Sequence, residues 1–415
     1  MKNKWFKTTV VDQAPLQRGF DITQKTATPG NVPVVSSGGI SYYTDNPILS
    51  GPGVIIGRKG ALGTVFYATG DYWPSDTTLW VTDFKDNNPK FVYYFYKTLS
   101  SLMLNLDVGS ANPTLNRNHL HGREILWTDR QSQDQIAAFL SALDNKIELN
   151  RQMNRTLEQM ARALFKSWFI DFDPVHAKQR GEQPAGIDAE TAALFPDRLV
   201  EIDGKEVPER WAYGSVSDIA QQVKNQMNPS DHPDALFAHF SIPAFDASGR
   251  PAIERGSEIK SNKFVVPDAA ILVSKLNPAT PRIWDTDLSD DVEYRVSSTE
   301  FIPLVTRSED LRAFLYLALT SHDFAKALSG QASGTSNSHQ RVKPSDILSS
   351  PVLLAPPQVI AAFGRLVIPI LDHSKRNLRE NNQLAGTRDS LLPRLLSGEL
   401  DVSDWQDSIT EVTPA

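Results

Sequence analysis

At 415 residues the chain is too long for one ordinary hydrophobic core, so two or three domains are expected. Its 40% hydrophobic and 22% charged residues are those of a globular protein, and no apolar run reaches the ~18 residues that span a bilayer. A net charge of −7 argues against a chain that grips nucleic acid alone through a broad basic surface, and the lack of cysteine excludes disulfides and thiolate metal sites. The charge still allows local reading of bases if partners neutralise the phosphates. The opening "MKNKWFKTTVVDQ" has no apolar stretch of the signal-peptide kind, so a cytoplasmic location with no membrane contact is expected.

In chain order, residues 1–130 form a first globular unit. Its short β-type runs, "VPVV", "GVIIG", "GTVFYA" and "TTLWV", are cut by turns such as "SSGGI" and "GPG". A helical run, "PKFVYYFYKTLSSLMLNL", follows them. From Gln131 to Phe169 there is neither Gly nor Pro. Ile136, Leu140, Leu143, Ile147, Leu157 and Leu164 recur there on 3–4 spacing, with Asn150, Asn154 and Ala161 filling the gaps. About 39 residues at ~1.5 Å each make a helix of roughly 60 Å, against a usual length of ~11–12 residues. Such a helix with one apolar stripe needs a partner.

This first long helix is placed at 131–172 and a linker at 173–205. A second globular unit follows at 206–353, with strands such as "KFVV", "AAILVS" and "TEFIPLV" and then the helical "LRAFLYLALTSHDFAKAL". The partner helix is placed at 354–397. It opens at "APPQVIAAF", where Pro suits a helix start, and stops near Gly398 in "LLSGEL". Its stripe includes Ile360, Phe363, Leu371, Leu384 and Leu391, with Asn377 or Asn381 expected to set register. Gly364 and Pro369 predict a kink or a late start in its first third. Residues 398–415 form a C-terminal tail.

The chain repeats itself. Ile136-Ala-Ala-Phe139 returns as Ile360-Ala-Ala-Phe363, and Trp5, Val10 and Asp12 return as Trp211, Val216 and Asp218. Before each helix lies a small polar loop, "GSANPTLNR" from Gly109 and "GTSNSHQR" from Gly334. The order is unit, helix, unit, helix, and strands followed by helices give the α+β class. Two globular units separated by two long helices, packed as an antiparallel coiled coil with a pseudo-twofold internal repeat, are predicted. The alternative leaves each helix buried in its own unit.

Three segments make the chain resemble the specificity subunit of type I restriction-modification enzymes. These are "LNRQMNRTLEQMARALFKSWFIDFDPVHAK", "GIDAETAALFPDRLVEIDGKEVPERW" and "RDSLLPRLLSGELDV". The resemblance implies two target-recognition domains, each reading one half of a split site in double-stranded DNA, with the helices as a spacer. It also implies docking of two adenine-methylating subunits and, through them, of motor-nuclease subunits. S-adenosylmethionine, ATP and Mg²⁺ would then be bound by those partners and no cofactor by this chain.

Base reading calls for polar and basic side chains on exposed loops. In the first unit the candidates are Ser36 and Ser37 in "SSGG", Arg58 and Lys59 in "GRKGALG", and Ser75 and Thr77 with Asp76 in "PSDTT". "SANPTLNRNHLHG" adds Ser110, Asn112, Thr114, Asn116 and Arg117. In the second unit they are Lys275, Asn277 and Arg282 in "VSKLNPATPR", joined by Ser274 and Thr280. "SGTSNSHQRVK" adds Ser336, Asn337, His339, Gln340, Arg341 and Lys343. The competing reading makes Gly57, Gly60 and Gly63 fold-forming turns and the polar residues solvated.

The same sequence matches enzyme motifs poorly. "NPTL", "NPAT" and "APPQ" are not the Asn-Pro-Pro-Tyr of an adenine methyltransferase. "GPGVIIGRKG" lacks the final Lys-Ser/Thr pair of a P-loop. Pro233-Asp234 with Glu258-Ile259-Lys260 fits a nuclease pattern only loosely. "HLH" at His119 to His121 is too little for a metal. The chain is therefore expected to be a non-catalytic subunit. The rivals are a specificity subunit of a methylation-only complex and a coiled-coil adaptor that reads no DNA.

Overall fold

A computed structural model describes residues 5–106, 114–286, 292–332 and 340–401. The chain divides into two compact units, Met1–Leu149 with Glu380–Ala415, and Asn150–Arg379. Both divisions fall inside 40-residue helices, so each long helix gives one half to each unit. No described helix is long and apolar enough to cross a membrane.

The first unit runs β1 (Phe6–Thr9), α1 (Val10–Gln13), β2 (Leu16–Arg18), β3 (Val32–Ser36), β4 (Gly39–Thr44), β5 (Gly53–Gly57), β6 (Val65–Ala68), β7 (Trp73–Pro74) and β8 (Thr78–Val81). Then come α2 (Pro89–Thr98), α3 (Ser100–Asn105), α4 (Asn118–His121), β9 (Glu124–Trp127) and α5 (Arg130–Phe169). An antiparallel sheet has the order β2-β8-β5-β6, and a smaller sheet has the order β4-β3-β7. Every residue of β5 is buried because both of its faces are covered. Alternation along the strand sends Val54 and Ile56 into the core that holds α2, and Ile55 toward Val35 and Tyr72. Asn88 caps α2 by accepting from the N–H groups of Lys90 and Phe91, with Pro89 in the first turn. Phe91 and Phe95 then pack edge-on to Trp127 at 5.1 and 4.9 Å.

The second unit continues with α6 (Asp173–Gln179), α7 (Ala189–Ala193), β10 (Leu199–Ile202), β11 (Lys205–Pro208), β12 (Ala212–Ser215), α8 (Val216–Ile219), β13 (Ala220–Gln222), β14 (Gln226–Met227), β15 (Leu236–Phe240), α9 (Ile242–Ser248), β16 (Ala252–Arg255), β17 (Lys263–Val265) and β18 (Ile271–Ser274). It closes with β19 (Ile283–Asp285), β20 (Tyr294–Ser297), β21 (Phe301–Thr306), α10 (Asp310–Leu319), α11 (His322–Gln331), α12 (Pro344–Leu348), β22 (Pro351–Leu354) and α13 (Pro357–Leu396). The sheet β13-β21-β18-β19 repeats the order β2-β8-β5-β6 strand for strand, and β12·β22 repeats β1·β9. The second unit departs in its other sheet, where five strands in the order β14-β17-β20-β15-β16 replace three.

Two expectations need correction. The segment 173–205 is not a plain linker. It holds α6 and α7, and the β10·β11 hairpin runs across the expected boundary at 205/206. Val175 and Phe195 are buried in the second unit's core, which makes this segment part of the fold. Nor does α13 start late, since it is helical from Pro357 through both Gly364 and Pro369. Pro369 is exposed, so the backbone bond it cannot make is lost on the solvent side. Gly364 is buried where an added Cβ would come within 3.1 Å of the Asp310 carbonyl oxygen, so its smallness serves close packing.

Within each unit the halves of α5 and α13 pair antiparallel. In the first unit Arg388 Nη1 meets Asp144 at 2.5 Å and Lys146 meets Glu380 at 3.3 Å. In the second, Asn377 donates to Asn154 Oδ1 at 2.8 Å, and Asn154 donates to the Ser374 carbonyl at 3.0 Å. Asn150 and Asn381 are buried as well. Of the predicted stripe, Ile136, Leu140, Ile147, Ile360, Phe363 and Leu371 are buried. Leu143, Leu157, Leu164, Leu384 and Leu391 are only half-buried. Toward the end of α13 the buried face is Leu392, Leu395 and Leu396 instead, one position on from the predicted Leu391.

The repeated tryptophans mark the helix ends. After α5, Phe172 takes a left-handed backbone (φ 54°), and Trp211 packs edge-on against its ring at 5.7 Å. After α13, Gly398 is left-handed too (φ 73°), and a Cβ there would lie 2.5 Å from the Trp5 indole nitrogen. Only glycine meets both demands at that turn.

Candidate nucleic-acid interface

In the first unit the candidate loops gather at the end of β5. The N–H groups of Arg58 and Lys59 both donate to the Thr77 carbonyl, at 2.9 and 3.1 Å. The Leu115 N–H donates to the Arg58 carbonyl at 2.8 Å, and Lys59 bridges to Thr114. The Ser37 N–H donates to Thr77 Oγ1 at 3.2 Å, and Thr77 Oγ1 lies 2.8 Å from Ser75 Oγ. Ser36 Oγ donates to the Gly39 carbonyl and accepts from Ser41 Oγ. Segments from four parts of the chain are thus stitched into one surface. It carries Ser36, Ser37, Arg58, Lys59, Ser75, Thr77 and Thr114.

Lys59 is exposed, while Arg58 is half-buried and donates to the Asp76 carbonyl at 3.2 Å. The glycines do shape this surface. Gly60 and Gly63 are left-handed, and a Cβ on Gly57 would collide with the Ala61 carbonyl at 2.1 Å. Asn116 and Arg117 are exposed at the entry to α4, where Asn116 Oδ1 accepts from the Asn118 N–H. His121 has a structural task, its Nε2 accepting the Leu16 N–H at 2.9 Å. Burial, with the Arg117 charge nearby, pushes its pKa down and keeps the ring a neutral acceptor. Ser110 and Asn112, like Ser336, Asn337 and His339, lie outside the described residues.

The second unit repeats the centre of this stitching, two backbone bonds and one bridge. The Lys275 N–H donates to the Glu300 carbonyl at 2.8 Å, and the Val342 N–H donates to the Lys275 carbonyl at 3.1 Å. Leu276 bridges to Arg341, and the Asn277 N–H donates to the Gln340 carbonyl at 2.9 Å. Lys275 therefore stands where Arg58 stands, Arg341 where Thr114 stands, and Glu300 where Thr77 stands. Asn277 takes a left-handed backbone (φ 52°), which Asn tolerates better than most residues. Lys343 is exposed at the head of α12, its N–H held by Asp346 Oδ2.

Arg282 is a different case. Its backbone lies beside Ser274, but its guanidinium makes a bidentate pair with Asp246 at 2.7 and 2.9 Å. The pair holds the Asp246 carboxyl below its usual range and raises the Arg282 pKa. Arg282 thus enters this surface already engaged.

Ser298, Thr299 and Glu300 are not among the candidates above, because Thr299 and Glu300 fall in the expected strand "TEFIPLV", which begins only at Phe301. The Phe301 N–H donates to the Ser298 carbonyl at 3.0 Å, as the Thr78 N–H does to the Ser75 carbonyl at 2.9 Å. The signal is in the sequence, since "SDTTL" and "STEFI" each place a serine three residues before the first strand residue, but an acid is not the residue type expected to meet DNA. Among the described residues, no group of three or more His, Asp or Glu could hold a metal ion.

Two stitched loop surfaces on two copies of one sheet order describe a duplicated recognition scaffold, and the chain belongs to the family of type I restriction-modification specificity subunits. The family model for the type I restriction modification DNA specificity domain matches residues 4–159. The chain is 30% identical over 322 residues to the type I restriction enzyme HindI specificity subunit of Haemophilus influenzae, covering 66% of this chain and 68% of the relative. It is 24% identical over 328 residues to the MjaIX specificity subunit of Methanocaldococcus jannaschii, covering 76% and 70%. A crystal structure of a type I restriction-modification system S subunit from M. genitalium shares the fold, with a TM-score of 0.60 at 16% identity over 95% of this chain and 96% of that one.

Proposed function

We propose that this chain selects the DNA sequence on which a type I restriction-modification complex acts, each unit reading one half of a split site. The observation that carries this reading is the bond-for-bond match between the Arg58–Thr77–Leu115 and Lys275–Glu300–Val342 junctions. A duplicated surface suits two half-sites, just as a dimeric reader suits two half-sites about one helical turn apart. The side chains on the two surfaces differ, so the half-sites differ. With a net charge of −7, the chain leaves much of the phosphate neutralisation to partners and supplies base contacts itself.

The partners in this reading are two adenine-methylating subunits and, through them, motor-nuclease subunits. They carry S-adenosylmethionine, ATP and Mg²⁺, while this chain catalyses nothing. The long helices, packed as an antiparallel coiled coil, set the gap between half-sites and give the methylating subunits a place to dock. The test is methylation mapping. The chain is expressed with a cognate methylating subunit in a host free of DNA methylation, and modified adenines are located by sequencing. One split motif with unlike halves and a fixed gap is the expected result. Inserting four residues, about one turn, into α5 should change the gap and neither half. A stable complex that modifies no motif would instead support the adaptor reading.

A further inference from the structure

We infer that Glu300, together with Arg341, determines specificity at one G·C base pair of the half-site read by the second unit. The inference rests on the proposed function and deepens it.

It starts from the junction the two units share. At the position defined by the same backbone bonds, the first unit offers the hydroxyl of Thr77 and the second the carboxylate of Glu300. A hydroxyl both donates and accepts, so it discriminates weakly among base edges. A carboxylate only accepts. In the major groove the groups that donate are the amino groups of cytosine and adenine, and acidic side chains pair with the cytosine amino group.

The surroundings sharpen this. Arg341 Nη2 donates to Glu300 Oε1 at 3.1 Å, and its side chain is 60% exposed against 25% for Glu300. The other carboxylate oxygen, Oε2, is buried and has no hydrogen-bond partner among the described residues. Any contact with a base therefore falls to Oε1, which keeps a second lone pair beside its one donor from Arg341. Arg341 sits on the strand bridge opposite Leu276, next to Lys275, so the acid and the guanidinium are presented side by side on one surface. An arginine beside an acid matches the two edges of one G·C pair. The guanidinium donates to guanine O6 and N7, and the carboxylate accepts from the amino group of the paired cytosine. The first unit has no acid at this position. It has Thr77, with Asp76 held by Arg18 at 3.4 Å.

The experiment is methylation mapping of the full complex carrying Glu300→Thr, which installs the first unit's residue type, and in parallel Glu300→Gln, which keeps the shape. The wild-type complex gives the reference motif. The expected result is loss of discrimination at a single G·C pair in one half of the motif, by roughly tenfold. The other half and the gap stay unchanged. Glu300→Gln should shift the preference at that pair toward A·T, because an amide pairs with adenine. A wild-type motif retained by both variants, each assembled and active, overturns the inference and leaves the function standing. So does a change in both halves, or at an A·T pair. Absence of any motif from the wild-type complex overturns the function itself.

Discussion

The two units share a plan and hold it together with different chemistry. The Ile-Ala-Ala-Phe motif shows this most directly. In α13, Phe363 is fully buried, within 4.9 to 6.1 Å of Phe165, Trp168 and Phe169. In α5, Phe139 is only half-buried, and the helix instead fits Ile136 and Leu140 into a core that holds Leu392, Leu395 and Leu396. The polar ties differ as well. In the first unit a neutral amide, Asn87, links the sheet to α5. Its Oδ1 accepts from Trp127 Nε1 at 2.8 Å and Gln133 Nε2 at 2.7 Å, and its Nδ2 donates to the Gln13 carbonyl. In the second unit the tie between sheet and long helix is ionic and lies elsewhere. Lys375 of α13 meets Asp285 of β19 at 2.6 Å, and Arg312 of α10 meets Asp372 of α13 at 2.9 Å. Burial pushes the Asp285 carboxyl up even with Lys375 and Arg312 beside it. A duplicated backbone thus tolerates exchange of the polar ties that hold each unit to its long helices, a neutral amide in one and an ion pair in the other.

This comparison can be broken at its strongest point. Phe363→Ala should cost about 3–5 kcal/mol, the usual range for emptying a full aromatic site. Phe139→Ala should cost less than half as much, and the shift in chemical denaturation midpoint reads both. Equal costs would mean that the motif does the same job in both places. Asn87→Ala tests the polar tie. It strands the buried Trp127 indole donor, a loss of roughly 1–3 kcal/mol, and takes one of two acceptors from Gln133 Nε2, so it should destabilise the first unit nearly as much as losing a core side chain. Asn87→Asp, which keeps the acceptor, should recover part of that loss.

The smallest effect is one of pH. The folded pKa of His121 lies below its ordinary value, so the unfolded chain binds the extra proton first. Its contribution to stability is therefore complete above about pH 6.5 and is lost as pH falls through the lower folded value. Thermal melts of the wild type should show this acid sensitivity, and His121→Gln should reduce it.

The order of elements was legible in the sequence because it depends on periodicity. The Gly- and Pro-free run to Phe169, the β-type runs cut by Gly turns and the duplicated Trp all mark real elements or packing points. Side-chain burial was less legible. Leu391 and Leu392 sit side by side in the sequence, and only the angle at which another helix meets them decides which one is covered. Pro369 does not delay the helix, because the backbone bond it cannot make is lost on the solvent side, which a proline rule does not count. The loop surface was read in part. Arg58, Lys59 and Thr77 follow from residue type, and the structure brings them together. Arg282 was chosen by the same rule, but a carboxylate 36 residues earlier in the chain already holds it. Glu300 escaped because its role depends on standing where Thr77 stands, a relation carried by backbone bonds and not by composition.

The turn at Gly398 ties the last described stretch of the chain to Trp5. Its backbone lies against the Trp5 indole, while the ring of Phe172 lies against that of Trp211. The exit from each long helix is thus pinned to the tryptophan that precedes a β unit, in the second unit along the folded segment that holds α6 and α7, and in the first through packing between sequence-remote segments. The first unit therefore closes on that contact like a clasp, and loosening it would release both segments together.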